Sequence, residues 1–416
     1  MSLIRPFRGL RPAAGQAGAV TAPPYDVLSS DEARVRAAGK PWSFLHISKP
    51  EIDLPRETDP YAPEVYAKAA ENLAQMLAAG VLVRDGTPCY YAYRLTMPGV
   101  SGGKGGDHVQ TGLVAAASVA DYDSNRIRKH EFTRPDKEDD RVRQIEALNA
   151  QTGPVLLAYP ASATADALID AIAQGTPAAD VTAADGIRHQ IWVLTDATQI
   201  AAITAAFDAM KALYIADGHH RSAAASRVAA ARRQQGRELS ADSFLAVIFP
   251  HHQMKIMDYN RVVKDLNGLE KSALVTRLGA AFTVEDSPGR VHPARPGEFG
   301  MYLAGGWRKL TIKPELIPDD PVTSLDVSLL SDRLLAPLLG ITDLRRDKRI
   351  DFVGGIRGLA ELEKRVDSGE MAVAFALHPT RMDQLMAVAD SNNVMPPKST
   401  WFEPKLADGL VSHLLD

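Results

Sequence analysis

The sequence predicts a mixed α/β protein, with α/β layering and additional α+β regions, and three observations predict it. From Pro154 onward, apolar β-like runs alternate with helix-prone runs. Upstream, residues 62–79 repeat apolar side chains at helical spacing, and the composition is that of an ordinary folded globule. The alternation reads PVLLAYP, ADALIDAIAQ, HQIWVLTD, TQIAAITAAFDAM, ALYIAD, HHRSAAASRVAAARRQQG and FLAVIFP, then KIMDYNRVVKDL. Strands and helices of these lengths in turn describe one sheet-and-helix unit.

The remaining elements follow in order. In APEVYAKAAENLAQMLAA, Val65, Ala69, Leu73, Met76 and Leu77 share a helical face, and Gly80 follows as a stop signal. VLVRDGTPCYYAYRL holds two short β-like runs about Asp85-Gly86 and reads as a hairpin. The glycine-rich PGVSGGKGGDH carries Lys104 but lacks the Walker spacing and its Ser/Thr, so it reads as a flexible hairpin tip. The last third holds GMYLAGGWRKLTI, a helix-prone VSLLSDRLLAPLLG, a helix at AELEKRVDSG, a buried-looking MAVAFALHP and an exposed terminal segment. At 416 residues the chain exceeds one hydrophobic core. Three regions are expected, at 1–125, 126–268 and 269–416. No internal repeat points to an array or solenoid.

Composition narrows the function classes. Hydrophobic residues make up 45% of the chain, charged residues 24%, and the net charge is −4. A chain of that balance lacks the electropositive field that nucleic acid or anionic lipid requires, so neither is an expected partner and any anion site is local. No run of about 18 apolar residues is present, and the N-terminus lacks a signal-peptide core, so the cytoplasm is the expected location. The lone Cys89, in CYYAYRL, reads as a buried, unreactive thiol.

The segment Ala216-Asp217-Gly218-His219-His220-Arg221 is the leading candidate for a site that binds the phosphates of a nucleotide. An apolar strand ends at Asp217 and an alanine-rich helix opens directly after it. Backbone N–H groups at a helix start have no intrahelical partner, and the dipole is positive there. Gly218 permits the tight turn and the close approach of a phosphate. Arg221 offers a planar fork, and His219 and His220 can donate hydrogen bonds. Asp217 can hold a divalent cation or accept a proton; its structural alternative is a helix cap, and for the histidines it is local hydrogen bonding. A zinc pair from adjacent histidines ranks low, because neighbouring side chains diverge.

The second dense segment, RIRKHEFTRPDKEDDR at 126–141, sets Phe132, Thr133 and Pro135 among charges before a helix opening with Asp136. A surface salt-bridge network is one reading. As a site, it offers Glu131 as general base, Asp136, Glu138, Asp139 and Asp140 as candidates for Mg²⁺ or a substrate amine, and Arg134 and Lys137 for phosphate. Three further segments carry useful groups. Tyr25 in PPYDV and His46 in WSFLH read as core-closing residues. Arg261 in DYNR, at a strand end, is a second phosphate candidate. PPKSTWFEPK offers Lys398, Ser399, Thr400 and Lys405 on a proline-stiffened loop that reads equally as a lid or an ordered tail.

KHEFTRPDKEDDR, YIADGHHR, DYNRVVKDLNG and PPKSTWFEPK, with the opening RPFRGLRP and APPYDV, together resemble the prokaryotic domain-of-unknown-function family 1015 over nearly the whole chain. The DGHHR at 217–221 is similar to the phosphate-binding signature of the ParB/sulfiredoxin superfamily, in the form taken by free serine kinases. That resemblance implies a ParB/sulfiredoxin-like nucleotide-binding core with additional α/β regions. It implies Glu131, in the His130-Glu131 pair, as base on a serine hydroxyl, with Asp217 and His219 assisting catalysis. Gly218, His219, His220 and Arg221 would hold phosphates. Asp26 of PYDV is an alternative acidic group.

The expected function is transfer of phosphate from ATP or ADP, with Mg²⁺ at Asp217 and Glu138, to a small hydroxylated metabolite, L-serine leading. The alternatives are a phosphoesterase using the same cradle and a nucleotide-gated binding protein of the ParB type.

Overall fold

The computed structural model describes residues 2–99, 106–236, 240–303 and 305–415; Lys104 and its glycine-rich loop lie outside them. The architecture is mixed α/β. Contacts divide the chain into two compact units, Met1–Met254 with Pro404–Asp416, and Lys255–Glu403. Boundaries at 125 and 268 would cut through paired structure. A break at 125 severs a sheet in which strands from either side pair, and KIMDYNRVVKDL, expected in the first sheet-and-helix unit, forms strands of the second.

The first unit is built on a nine-stranded sheet. Its strands are β1 (Ile4–Arg5), β2 (Tyr90–Met97), β3 (His108–Ser118), β4 (Ile127–Arg128), β5 (Val155–Tyr159), β6 (Ala179–Thr182), β7 (Arg188–Leu194), β8 (Leu213–Asp217) and β9 (Ser243–Pro250). The order is β4-β8-β5-β9-β3-β2-β7-β6, with β1 beside β3. Most pairs are antiparallel, but β4 runs parallel to β8 and β5 to β9. β5 and β9 are buried along their whole lengths, the pattern of strands covered on both faces. Helices α1 (Pro63–Ala78), α2 (Pro135–Leu148), α3 (Ala163–Ile172), α4 (Ala197–Asp208) and α5 (His219–Gln234) accompany it. Ile169, Ile203 and Phe207 of α3 and α4, with Ala225 and Ala229 of α5, join Leu113, Leu157, Ile215 and Ile248 of the sheet in one core. Burial of apolar area at roughly 25 cal/mol per Å² makes such a cluster the main stabilising element.

Two local expectations change. Leu82–Arg84 and β2 are not a hairpin: the first pairs with Gly9–Pro12, the second with β3 and β7. Asp85 explains the separation, because its carboxylate accepts from Arg11 and from the Tyr91 hydroxyl and so turns the chain between two sheets. The terminal segment is not exposed either. Ser412–Leu414 enters a four-stranded sheet with Gly9–Pro12, Leu82–Arg84 and Ala150–Gln151, and residues 406–413 are buried throughout. Cys89 is buried and free, and burial pushes its thiol pKa up.

The second unit holds a six-stranded antiparallel sheet of β10 (Tyr259–Val263), β11 (Phe282–Ser287), β12 (Glu298–Leu303), β13 (Gly306–Ile312), β14 (Ile350–Gly354) and β15 (Val373–Leu377), in the order β11-β13-β12-β15-β10-β14. The helix-prone VSLLSDRLL opens as an α-helix at Asp326–Leu330 and widens to a π-helical turn at Ser331–Leu335. Among the described residues no helix is long and apolar enough to cross a membrane.

Candidate functional site

The site forms where two neighbouring parallel strands leave the sheet at the same end. β4 and β8 pair as Ile127 with Leu213 and Arg128 with Tyr214. Beyond β4 the chain continues as Lys129-His130-Glu131, and beyond β8 as Gly218-His219, so the two segments emerge side by side. The carboxyl ends of parallel strands are where α/β proteins place ligand groups. Gly218 adopts φ +98° as the cap of α5, a conformation that disfavours side-chain-bearing residues. No side chain caps α5, and its first turn holds no acidic residue. Among the described residues the N–H groups of His219 and His220 have no acceptor, whereas those of Arg221 and Ser222 turn back to the Gly218 carbonyl. The positive end of α5 is therefore open to an anion.

Helix α2 starts beside it. Contacts pair Arg134 with His220, Glu138 with Arg227 and Asn149 with Arg232, rising together along both helices. The two helices thus run parallel, packed through Ile145 against Ala224 and Val228. Unlike α5, α2 carries Asp136 and Glu138 in its first turn and offsets its own dipole.

The adjacent histidines hold the loop between β4 and α2. His219 Nε2 accepts the backbone N–H of His130 at 3.4 Å, and His220 Nε2 accepts that of Arg134 at 3.1 Å. The His219 and His130 rings meet edge to face at 4.5 Å. Burial, and next the neighbouring His130, lower the His219 pKa well below its usual value; burial also lowers that of His220 and takes His130 to about 4. All three rings are neutral near pH 7. With Nε2 accepting, the His219 proton sits on Nδ1, which lies 3.7 Å from Glu131 Oε2. The Glu131 carboxylate is half-exposed at 50%, beside the helix start.

Asp217 and Arg221 form the other wall. The Asp217 carboxylate lies 3.3 Å from the Lys405 ammonium and 3.7 Å from Arg221 Nη2. Burial opposes its ionisation, but those two cations outweigh burial and hold it at about 2. Arg221 turns back toward the sheet: Nη1 donates to the Pro154 carbonyl, and Nη2 lies 3.8 Å from Asp26. Its stem passes over Gly153 and Gly218, where a Cβ would stand 3.3 Å from Cδ and 3.1 Å from Nε respectively. Arg221 is thus a partly neutralised bridge rather than an outstretched fork.

The other expected residues fall elsewhere. The Arg134 guanidinium pairs with Asp136, and only its backbone N–H reaches the histidines. Lys137 donates to the Tyr61 hydroxyl and sits over that ring. Glu138 accepts from Thr133 Oγ1 and faces Arg227, and Asp139 pairs with Arg227. Asp140 is buried against the Tyr66 hydroxyl and Arg141. Among the described residues no three His, Cys, Asp or Glu side chains group as a metal site. His46 pairs with Asp53. Arg261 belongs to the second unit, wholly buried, with its guanidinium donating to the carbonyls of Tyr259 and Lys398.

The family described as protein of unknown function (DUF1015) matches residues 4–328. This chain belongs to that family. No curated protein matches the sequence. Solved structures similar to it include a mutant of free serine kinase in complex with AMP, at 13% identity and a TM-score of 0.35, covering 70% of this chain and 87% of that one. A conserved hypothetical protein from Pyrococcus furiosus is similar at 15% identity and 0.34, covering 71% and 93%. SbnI with a C-terminal truncation, from Staphylococcus aureus, is similar at 11% identity and 0.36, covering 70% and 84%.

Within this DUF1015 chain, three segments far apart in sequence meet the DGHHR: PPYDV through Asp26, KHEFTR through His130 and Glu131, and FEPK through Lys405. Asp408 is the residue that sequence reasoning passed over. It is 2% exposed, its Oδ1 would stand 4.0 Å from a Cβ placed on Gly153, and burial pushes its carboxyl up to about 7. A lone aspartate in the apolar KLADGLV was the only signal for it.

Proposed function

We propose that this chain is a nucleotide-dependent small-molecule kinase, transferring phosphate from ATP or ADP to a hydroxylated metabolite, with free L-serine as the leading acceptor. The observation that carries the reading is an uncapped helix start with a half-exposed carboxylate held beside it. In-line phosphoryl transfer is mainly positioning and neutralisation of charge, and the parts for both are present. The open N–H groups of His219 and His220 and the positive end of α5 suit the phosphates. Glu131 suits the removal of the acceptor's proton, with the Nδ1–H of neutral His219 turned toward it. The likeness of DGHHR to the ParB/sulfiredoxin signature supports the same assignment and a core of that type.

A Mg²⁺ ion, when bound, spreads the negative charge of the phosphates. Asp217, ionised and at the helix start, fits as its single protein carboxylate, since Mg²⁺ with nucleotides takes one or two carboxylates plus phosphate oxygens. Glu138 Oε1 accepts from Thr133 and its Oε2 faces Arg227, and both contacts would have to open for it to join Asp217, whose own oxygens face Lys405 and Arg221.

The test is incubation of purified protein with ATP or ADP, Mg²⁺ and a panel of hydroxy amino acids and sugars, read by phosphorus NMR. Phosphoserine is expected from the wild type, and at least 100-fold less from Glu131→Gln. No phosphorylated product from any acceptor would overturn the reading, and phosphate release from phosphorylated metabolites without nucleotide would replace it with a phosphoesterase.

A further inference from the structure

Beside Arg221, the first unit holds an open cavity whose empty space, the open solvent at its mouth included, is about 480 Å³. Ile145, Val155 and Phe244 are among its apolar lining, and Ser48, Arg141, Arg221 and Asp408 contribute polar groups beside Gln144, Gln151 and Thr152. Arg221 lines the cavity and also lies 3.7 Å from Asp217, which does not line it.

The polar groups are held in place but not used up. Arg141 Nε and Nη2 donate to Asp140, and its guanidinium stacks on the Tyr25 ring at 4.0 Å, which fixes its plane. Among the described residues its Nη1 has no partner. Asp408 Oδ2 and Ser48 Oγ are buried, and among the described residues neither has a hydrogen-bond partner. Two nearly buried, unpartnered oxygens lining one cavity are uncommon, because buried polar groups are ordinarily satisfied. Asp408, with its carboxyl raised to about 7 by burial, is ready to ionise when a cation arrives beside it.

We propose that this cavity recognises the head of a small α-amino acid, its carboxylate taken by Arg141 and Arg221 and its ammonium by Asp408, with Ser48 closing the site. The ligand class follows from the groups: planar guanidinium donors match a carboxylate, and the bare Asp408 oxygen requires a donor a short distance away. A simple carboxylate would leave Asp408 Oδ2 unmet, and a sugar carries no anion for Arg141 Nη1. An apolar lining with a few convergent polar groups is the usual composition of a small-ligand site. The assignment of this pocket to the acceptor of phosphate rests on the kinase reading, and amino-acid binding itself does not.

The experiment is isothermal titration of the full chain with L-serine, L-alanine, glycolate and glycerol, alongside serine phosphorylation kinetics. L-Serine and L-alanine are expected to bind the wild type, glycolate at least tenfold more weakly, and glycerol not at all. Arg141→Met should weaken L-serine at least 30-fold, and Asp408→Asn should weaken it about tenfold while changing glycolate less than threefold. Ser48→Leu, which fills the cavity without touching a charge, should also abolish L-serine binding and covers the case in which Arg141→Met fails to fold. Unchanged L-serine affinity in Ser48→Leu and Asp408→Asn overturns the inference, as does absence of amino-acid binding by a wild type that phosphorylates another acceptor. L-Serine binding without any phosphorylated product supports this pocket and sinks the kinase reading alone.

Discussion

Two polar stretches of this chain each run from an aspartate to an arginine and do opposite things with them. Asp217-Gly218-His219-His220-Arg221 and Asp258-Tyr259-Asn260-Arg261 each begin with aspartate as a strand is entered or left and end with arginine. At the first, a glycine at φ +98° turns the chain from β8 into α5, leaving N–H groups open and the Asp217 carboxylate 35% exposed. At the second, the chain runs straight on into β10. Asn260 donates to Asp258 and accepts the Leu377 N–H, and Arg261 donates to two carbonyls from full burial. Density of polar residues is therefore not what marks a site. The turn does, because it leaves backbone N–H groups open beside a partly exposed carboxylate.

The sharpest way to break that contrast is to remove each aspartate's charge in turn. Asp217→Asn is expected to lower phosphoryl transfer by about 10²–10³-fold, the scale of losing one electrostatic group in a preorganised site. Asp258→Asn should leave kcat unchanged within twofold. Steady-state kinetics of both variants checks it, and equal losses would erase the distinction.

Next in size is the arginine pair. Arg261→Met removes the donor to two partly buried carbonyls and is expected to cost about 3 kcal/mol in urea unfolding, with unchanged kinetics of the folded protein. Arg221→Lys should instead raise the KM for nucleotide or acceptor, since its guanidinium lies beside Asp217 and also donates to the Pro154 carbonyl. A rate loss in Arg261→Met at full folding would bring the second stretch into the mechanism.

The histidines give the comparison a pH axis. His130 is held neutral, with a folded pKa of about 4 against 6.5 unfolded. Below pH 6.5 the unfolded chain takes up a proton that the folded chain refuses, so stability is complete above 6.5 and lost as pH falls toward 4. At pH 4.5 the loss is about 2 kcal/mol from this residue. His189, buried against the Tyr93 hydroxyl in the sheet, behaves alike over the same window. His130→Gln should therefore flatten only part of the decline in chemical-denaturation stability between pH 7 and 4.5. Complete flattening would show that neither His189 nor the buried His219 is held neutral.

The strand–helix rhythm from Pro154 to Pro250 was legible because each run is long and its period unmistakable. The helix at Pro63–Ala78 was legible for the same reason. Partners were not. Leu82–Arg84 and β2 are neighbours in sequence, yet which strand each pairs with depends on Gly9–Pro12 and on β3 and β7, which no local pattern encodes. The DGHHR turn could be read from Gly218 and the alanine-rich run behind it. That its histidines would accept backbone N–H groups from the loop bearing Glu131 could not, since a histidine's partners are set by what folds against it. Lys405 and Asp408 arrive from the far end of the chain, where PPKSTWFEPK read equally as a lid or an ordered tail and no local pattern named what it would meet. Arg261 shows the reverse failure: an arginine in an apolar strand looked available because its charge is conspicuous, while β10 buries all of its residues from Asn260 to Val263.

The smallest expected effect isolates the turn itself. Gly218→Ala adds one methyl at φ +98°, 3.2 Å from the Arg221 Cζ and 3.3 Å from the Val155 Cα. The left-handed backbone alone costs about 1–2 kcal/mol for a residue with a Cβ. The methyl also presses on the arm of Arg221, which can give, and on the backbone of β5, which cannot. Unfolding should report that modest loss, but the N–H groups of His219 and His220 would tilt away from where the phosphates are proposed to lie. Nucleotide affinity should fall by more than the stability loss alone explains, while Gly355→Ala, pressing on Asp258 Oδ1 in the other stretch, should cost stability and leave nucleotide affinity untouched. Thermal shift with ADP on both variants separates the two, because ligand stabilisation reads affinity for the native state independently of the starting Tm. If ADP stabilises Gly218→Ala as fully as the wild type, the open helix start is not where phosphate binds.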